Sequence, residues 1–450
     1  MSRFSKIFKI ILELGWLAIF GLSPIFFCLW VYGTWQIGEY FLFQVLTEII
    51  LFIWILKVIV TLEHWNIVTF KKAFSIRSLL PAIIFIFILG LSTLFSQAPY
   101  HSFWGSYNRK LGYILWLHGF IFFLVLFFNL KTKKQVQRIF YVIIATTTIV
   151  VIYGFLQILG LDPFCWAEPA FLTGRIFSTF GQPNFLASWL LLAIPIVVWL
   201  MIKVAPLKDS ILKSPLIISL FLLSIFALVL TQSRGAWIGF FFAFFFFSII
   251  FAFISGQKRL AKLLGILLAI TIVVVGYLNF SPYPIKSSQP ITGRLLTFGQ
   301  LKETGKLRLI WWRNSLDLIK ARPVLGYGPE TQRFNFVRFY EPEFAALEAI
   351  NSYPDRAHND ILDMLLTSGI LGLAAYLFLI TSAFYLGLRF IFRKVNSVFT
   401  VYSSQFTVLI LLTGLVGYLI SVQFSFHLIP TLVYFWGYLA IISKPVTRNL

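Results

Sequence analysis

LRLIWWRNSLDLIKARPVLGYG (Leu307–Gly328) and DRAHNDILDMLL (Asp355–Leu366) are the two passages on which the reading of this chain turns. Both lie in or border Ser281–Asp360, the one place where the sequence leaves strongly apolar composition for many tens of residues. Around it, 59% of the 450 residues are hydrophobic, 19% are aromatic and only 12% are charged, and the mean hydropathy is +0.88. A soluble domain carries roughly 25% charged residues, so the composition is that of a polytopic membrane protein. The apolar frame must hold the polar insertion on one side of a bilayer.

Apolar runs of roughly 20 residues, the length that crosses a bilayer, fall near 7–32, 39–62, 79–97, 113–130, 139–160, 184–202, 215–232, 235–255, 263–280, 361–388, 400–421 and 429–443. They predict an all-α polytopic integral membrane protein with about twelve transmembrane helices and one long external loop containing amphipathic helices. Residues 1–280 then hold the first nine helices with short motif-bearing loops, 281–360 the large loop, and 361–450 the last three helices, in a single membrane domain. The first run is too long for a signal-peptide core and lacks a small-residue cleavage site, so it reads as a retained span.

Basic residues alternate from loop to loop. One side collects Arg3, Lys6, Lys9; Lys71, Lys72, Arg77; Lys131, Lys133, Lys134, Arg138; Lys203, Lys208, Lys213; Lys258, Arg259, Lys262; Arg389, Arg393, Lys394; and Lys444, Arg448. That asymmetry predicts cytoplasmic termini and an external insertion, because the positive side of a membrane protein stays inside. The insertion itself has eleven Lys and Arg, but long loops translocate largely regardless of charge. The net charge of +21 is accordingly a topology signal and not a nucleic-acid footprint. Cys28 and Cys165 suggest neither a metal site nor a disulfide framework.

Three short passages join the insertion on the external face: SFWGSYNRKLGY (Ser102–Tyr113), TGRIFSTFGQPN (Thr173–Asn184) and TQSRGAW (Thr231–Trp237). Each brings an arginine close to where a span meets the surface: Arg109, Arg175 and Arg234. The other ionisable groups within spans, Glu13, Glu48, Lys57 and His118, are scattered, which predicts structural pairing or snorkelling for them. In the insertion, Leu309, Trp312, Leu316 and Ile319 recur at helical spacing, with Arg308 and Arg313 near the start. This helix, suited to lying along the membrane surface, should end at Arg322, since a residue before proline is pushed out of the helical region. Gly326 and Gly328 then permit a tight reversal.

His358 is the sole histidine of the insertion, within about a turn of the next span. An imidazole at an interface can take a proton from an attacking hydroxyl; the bland alternative is a wet or locally bonded helix-start histidine. Arg234 can snorkel, and Arg308 can face solvent. Taken together, though, guanidinium groups converging at an outer interface suit a lipid-linked diphosphate, because they stay charged and bind phosphate oxygens in pairs. No Asp-x-Asp occurs, and Glu341 with Glu343 is a weak pair, so no metal or other cofactor is assigned. Nothing resembles a phosphate loop, a Ser-x-x-Lys or a His-Glu-x-x-His motif.

The passages SFWGSYNRKLGY, GRIFSTFGQPNFLA, TQSRGAWIG, RLIWW with PVLGYG, and AHNDILDMLLTSGILG resemble, in order, those of the O-antigen ligase / O-antigen polymerase (Wzy) superfamily, over roughly residues 100–380. The resemblance implies a fold like that of C-type glycosyltransferases. It also implies metal-independent transfer of a glycan from an undecaprenyl-diphosphate carrier to an acceptor hydroxyl, outside the bacterial inner membrane. By the same resemblance, Arg234 and Arg308 hold the diphosphate, His358 activates the acceptor, and Arg175 and Arg109 lend support. Leu307 departs from the glycine many relatives have before that arginine. Lipid A core, a second glycan and a protein all remain open as acceptors, so ligase, polymerase and protein O-glycosyltransferase are all compatible readings. A bicarbonate or small-anion transporter and an export scaffold are competing classes. A carrier, however, should place its polar sites at the bilayer midplane in paired repeats, which this sequence does not show.

Overall fold

The computed structural model describes residues 3–31, 34–61, 76–166, 169–204, 213–280, 303–339, 342–347, 354–393 and 403–444. Among these residues all regular secondary structure is helical. The long helices are α1 (Arg3–Leu22), α2 (Gln36–Thr61), α3 (Ile76–Leu94), α4 (Tyr113–Asn129), α5 (Lys133–Ile158), α6 (Pro183–Val204), α7 (Lys213–Leu230), α8 (Arg234–Ile254), α9 (Lys258–Phe280), α10 (Glu303–Ala321), α11 (Asp360–Ile391), α12 (Ser404–Ser421) and α13 (Ile429–Ser443). Each apolar run of the sequence lies on one of them. Six (α2, α5, α6, α8, α11 and α12) are long and apolar enough to cross a membrane, and α3, α4, α7 and α13 contain shorter apolar helices. The first run differs from expectation: α1 stops at Leu22, just before Pro24, which cannot continue a helix. Lys71, Lys72, Lys208, Lys394, Arg448 and Glu341 lie outside the described residues.

The frame is organised around α13, every residue of which is buried. Tyr434 donates from its hydroxyl to the Phe20 carbonyl at 2.9 Å, and Tyr438 to that of Leu192 at 3.0 Å, tying α13 to α1 and α6. Hydroxyls in a buried apolar setting need such partners. Helices α8 and α12 approach at Gly239 and Gly417, where a Cβ would meet the facing carbonyl; small residues let backbones close in this way. The intramembrane ionisable groups pair as expected. Glu13 meets Arg138, Glu48 Oε1 lies 3.1 Å from His118 Nε2, and Lys57 donates to Asn129 at 3.2 Å.

The insertion is joined to the frame through the backbone. Helix α11 breaks at Gly369, where φ is 63°, and the break frees main-chain groups. The amides of Tyr327 and Gly328 donate to the carbonyls of Leu366 and Thr367, each at 2.8 Å. In return, Ile370 donates to the Pro323 carbonyl at 2.8 Å. Ser92 donates to the carbonyls of Leu325 and Thr367 from α3. The reversal expected at Gly326 and Gly328 is present, with φ of 65° and 97°. A side chain at Gly326 would press on the α11 backbone, with a Cβ only 2.7 Å from the Thr367 carbonyl carbon. Glycine is needed there for both conformation and space.

Helix α10 ends where Pro323 requires, at Ala321. Its buried face is rotated from the expected one. Leu307, Trp311, Ser315 and Leu318 are buried, Trp312 and Ile319 are half-buried, and Leu309 and Leu316 face outward at 46% and 51% exposure. The helix packs on α11 and the 354–360 loop, so tertiary contact, and not the apolar stripe alone, selects the inward face.

Candidate active site

Two irregular segments meet at one end of the frame: residues 354–360, leading into α11, and 422–428, linking α12 to α13. Asn359 caps α11 by accepting from the Leu362 amide at 3.0 Å, and its own amide donates to the Gln423 carbonyl at 3.1 Å. One residue on, Asp360 Oδ1 lies 2.8 Å from His427 Nε2. These two links clasp the segments together and fix the residue just before them, His358.

His358 has φ of 53°, a left-handed conformation that non-glycine residues adopt rarely. Its ring stacks on Trp311, with centroids 5.2 Å apart and planes at 28°, and meets Phe426 edge-on at 5.5 Å. Nδ1 lies 3.2 Å from the Arg356 carbonyl. A carbonyl only accepts, so Nδ1 carries the proton and Nε2 keeps its lone pair. Burial pushes the imidazole down to about 4, the charges of Arg308 and Arg109 push the same way, and Asp355 opposes them. A neutral ring with a free nitrogen results.

Phe426 is shared by several cations. The guanidinium carbons of Arg109 and Arg356 sit 4.8 Å and 5.1 Å from its centroid, in cation–π range. Arg109 donates from Nε to Asp355 Oδ2 at 3.0 Å. Arg356 pairs with Glu330, and burial lowers it to about 10. Burial also lowers Arg308 from its ordinary range, which marks it as a guanidinium with reduced access to water and a correspondingly strong pull on an anion.

Arg109 and His358 share the Phe426 ring, and the charges of Arg109 and Arg308 both act on the imidazole. Arg175 and Arg234 form a second group on the flank of the 422–428 segment. Arg175 donates from Nε to the Thr231 carbonyl at 3.0 Å and approaches Asn184 Oδ1 at 3.4 Å. Arg234 opens α8 half-buried, and the next residue, Gly235, packs on Phe424, whose ring would lie 3.0 Å from a Cβ there. Phe185, beside Asn184, meets Phe426 at 5.3 Å. The 422–428 segment thus touches Arg109 through Phe426 and the neighbours of Arg175 and Arg234 through Phe426 and Phe424.

Sequence reasoning missed Arg356, Asp355, Glu330, Phe426 and His427. The last sits in a buried network: Tyr418 lies 2.5 Å from its Nδ1, and Tyr376 donates to Asp360 Oδ2 at 2.8 Å. A cavity of about 30 Å³, room for one water, lies between this network and the Arg356–Glu330 pair. A larger cavity of about 710 Å³ opens on the Arg109–Asp355 side, with Tyr107, Arg333 and Phe334 in its wall. The one available signal was a polar break, SFH (Ser425–His427), between two apolar runs; an isolated histidine there has a bland reading as well.

Residues 219–377 match the family model described as O-Antigen ligase. The match spans Arg234, Arg308 and His358 and stops short of Arg109, Arg175 and the 422–428 segment. The chain is also 27% identical over 262 residues to the general O-oligosaccharyltransferase of Acinetobacter baylyi. That similarity covers 56% of this chain and 44% of the relative, so the chain spans less than half of that protein's length. The similarity to the O-antigen ligase family therefore rests on residues 219–377, about a third of the chain, which carry Arg234, Arg308 and His358.

Proposed function

We propose that this protein transfers a glycan from a lipid-linked diphosphate, of the undecaprenyl type, to an acceptor hydroxyl at the external face of a bacterial inner membrane. The observation that carries the reading is His358, held neutral with Nε2 free between two aromatic rings and beside two guanidinium groups. Nε2 takes the proton of the acceptor hydroxyl as its oxygen attacks the anomeric carbon. The bond from that carbon to the phosphate oxygen breaks, and its electron pair leaves on the diphosphate. Arg234 and Arg308 meet that charge, with Arg175 and Arg109 in support; fixed cations in a partly dry site are the strongest stabilisers of a departing anion. In this scheme guanidinium groups supply all the cationic charge, so no metal is required.

The depth of the site fits such a donor. The 15 residues of α13 rise about 22 Å, less than the roughly 30 Å hydrocarbon core. With Lys444 at the cytoplasmic end, the 422–428 segment lies at or below the outer interface, where a lipid diphosphate head resides. Non-helical backbone is tolerated at that depth because it is enclosed by protein.

In a reconstituted assay with a lipid-linked donor, His358→Ala and Arg234→Ala are each expected to lower transfer by about 100-fold or more at unchanged thermal midpoint. Full transfer by both variants would overturn the assignment. For sidedness, a membrane-impermeant maleimide added outside should label a cysteine placed at Glu343 and spare one at Lys133; the reverse pattern refutes the orientation.

A further inference from the structure

We propose that Asp363 is a positioning residue for His358, acting through the peptide that joins Arg356 to Ala357: its carboxyl holds the amide of that peptide, and the carbonyl of the same peptide holds the imidazole proton on Nδ1. This rests on the transfer reading above and adds the group that keeps the base in its reactive form. The Ala357 amide donates to Asp363 Oδ1 at 2.8 Å, and His358 Nδ1 lies 3.2 Å from the Arg356 carbonyl. The N–H of residue 357 and the C=O of residue 356 belong to one planar trans unit and point in opposite directions. Pinning the first aims the second. Hydrogen bonds joined in a row also polarise one another, so a carbonyl whose peptide amide is bonded to a carboxyl is the stronger acceptor.

Asp363 does not serve the start of its own helix in the usual manner. An acidic residue that closes a helix start reaches back from the third helical position to the amide of the cap. The cap of α11 is Asn359, which makes Asp363 the fourth position, and its bond passes two residues beyond the cap to Ala357. Asp363 is 6% exposed and Ala357 is fully buried. The second carboxyl oxygen, Oδ2, has no hydrogen-bond partner among the described residues and lines the cavity of about 30 Å³ together with Arg356 and Thr367. A buried carboxyl left half satisfied costs stability, and such groups in folded proteins call for a reason beyond packing.

The rest of the loop is braced so that this one peptide decides the state of the ring. The Ala357 carbonyl accepts from Trp312 Nε1 at 2.9 Å, which fixes the peptide leading into His358 and supports its left-handed φ. The Arg356 side chain is held elsewhere, by Glu330 and over the Phe426 ring. Trp311 and Phe426 confine the imidazole, but their apolar faces do not distinguish its two nitrogens. The Arg356 carbonyl does, because it only accepts and so selects a protonated Nδ1. Without Asp363 the peptide can turn that carbonyl away and the proton can move to Nε2. The ring then has no lone pair where the acceptor hydroxyl arrives.

The test reads the tautomer directly, without donor. Full-length protein carrying isotope-labelled histidine, in nanodiscs at neutral pH, is followed by the ring-nitrogen shifts in solid-state NMR, and His358→Gln assigns the His358 signals by their loss. The wild type is expected to hold the proton on Nδ1. Asp363→Leu, close in size but without an acceptor, should show Nε2–H as the major form and lower kcat by about tenfold or more, with donor KM within twofold. Asp363→Ser, too short to reach the amide, should do the same and stands in for the leucine variant where that one fails to fold. Asp363→Asn keeps an oxygen at the same reach and should bring back the Nδ1–H form and most of the lost kcat, which a packing role alone would not produce. Nε2–H in the wild type, Nδ1–H retained in the leucine or serine variant, or an asparagine variant no better than leucine overturns the proposal. The transfer reading alone falls if the tautomers respond as expected while the wild type moves no glycan from a lipid-linked donor.

Discussion

The protonation state of His358 yields the sharpest test of the site. An unperturbed imidazole titrates near 6.5, so at pH 5.5 only about 10% of it is neutral. With burial holding His358 at about 4, about 97% stays neutral at that pH. If Nε2 is the base, kcat/KM, which reports groups of the free enzyme, should be nearly flat between pH 7.5 and 5.5, where an ordinary histidine would lose about tenfold. A diphosphate diester donor does not itself titrate in this window. Two substitutions set the sign. Arg308→Gln removes a cation that depresses the imidazole, so its acid limb moves to higher pH; Asp355→Asn removes the opposing anion and moves the limb lower. Bound donor adds negative charge beside the ring, so the limb in kcat should lie at higher pH than that in kcat/KM. A tenfold fall in kcat/KM by pH 5.5, or an Arg308→Gln limb displaced to lower pH, would refute the assignment of His358 as a buried base.

Two further substitutions probe the frame that holds it. Gly369→Ala forces alanine into φ 63° with ψ −165°, a region essentially reserved for glycine, at about 1–3 kcal/mol, and places a Cβ against the Val324 carbonyl. The 323–328 segment should then loosen, with faster proteolysis there and transfer down about tenfold, whereas Gly265→Ala, with open space around its Cβ, should behave as wild type; equal behaviour of the two variants refutes the docking argument. His427→Gln keeps a polar group near Asp360 but cannot hold both Asp360 and Tyr418 as the ring does, so kcat is expected to fall about tenfold with donor KM within twofold. An unchanged kcat means that the clasp does not position His358.

The sequence exposes the frame because period and length are properties of local composition. Eleven of the twelve apolar runs become helices at nearly the expected limits, the first stopping early at Leu22, and the Pro323 stop and Gly326–Gly328 reversal follow from backbone sterics alone. Arg109, Arg308 and His358 were each singled out by their motifs. Their mutual arrangement was not legible, because it is made by Phe426 and Trp311, aromatic residues that look like any others in a chain with 52 Phe and 14 Trp. The inward face of α10 was misread for a related reason. The stripe Leu309, Leu316 has the right period, but the packing partner lies far on in the chain, in the 354–360 loop, where Trp312 bonds Ala357, 45 residues away. Glu330 and Arg356 are 26 positions apart and acquire meaning only as a pair.

The break in α11 also changes what the insertion is. Unpaired backbone carbonyls are not tolerated at membrane depth, and Leu366 and Thr367 have carbonyls satisfied by Tyr327 and Gly328 of the insertion. The insertion is therefore structurally part of the membrane fold and cannot be treated as a lid added to a finished frame. Excising residues 323–328 would leave the Leu366 carbonyl without its partner in an apolar surround, at about 1–3 kcal/mol, would leave Thr367 with Ser92 alone, and would also remove the carbonyl partners of Ile370 and Leu371. A truncated chain should then fail to reach a stable folded state in detergent instead of yielding a well-folded inactive frame. A deletion variant with the wild-type thermal midpoint would show that α11 can close its own break. It would also mean that the frame, and not the insertion, sets the position of His358.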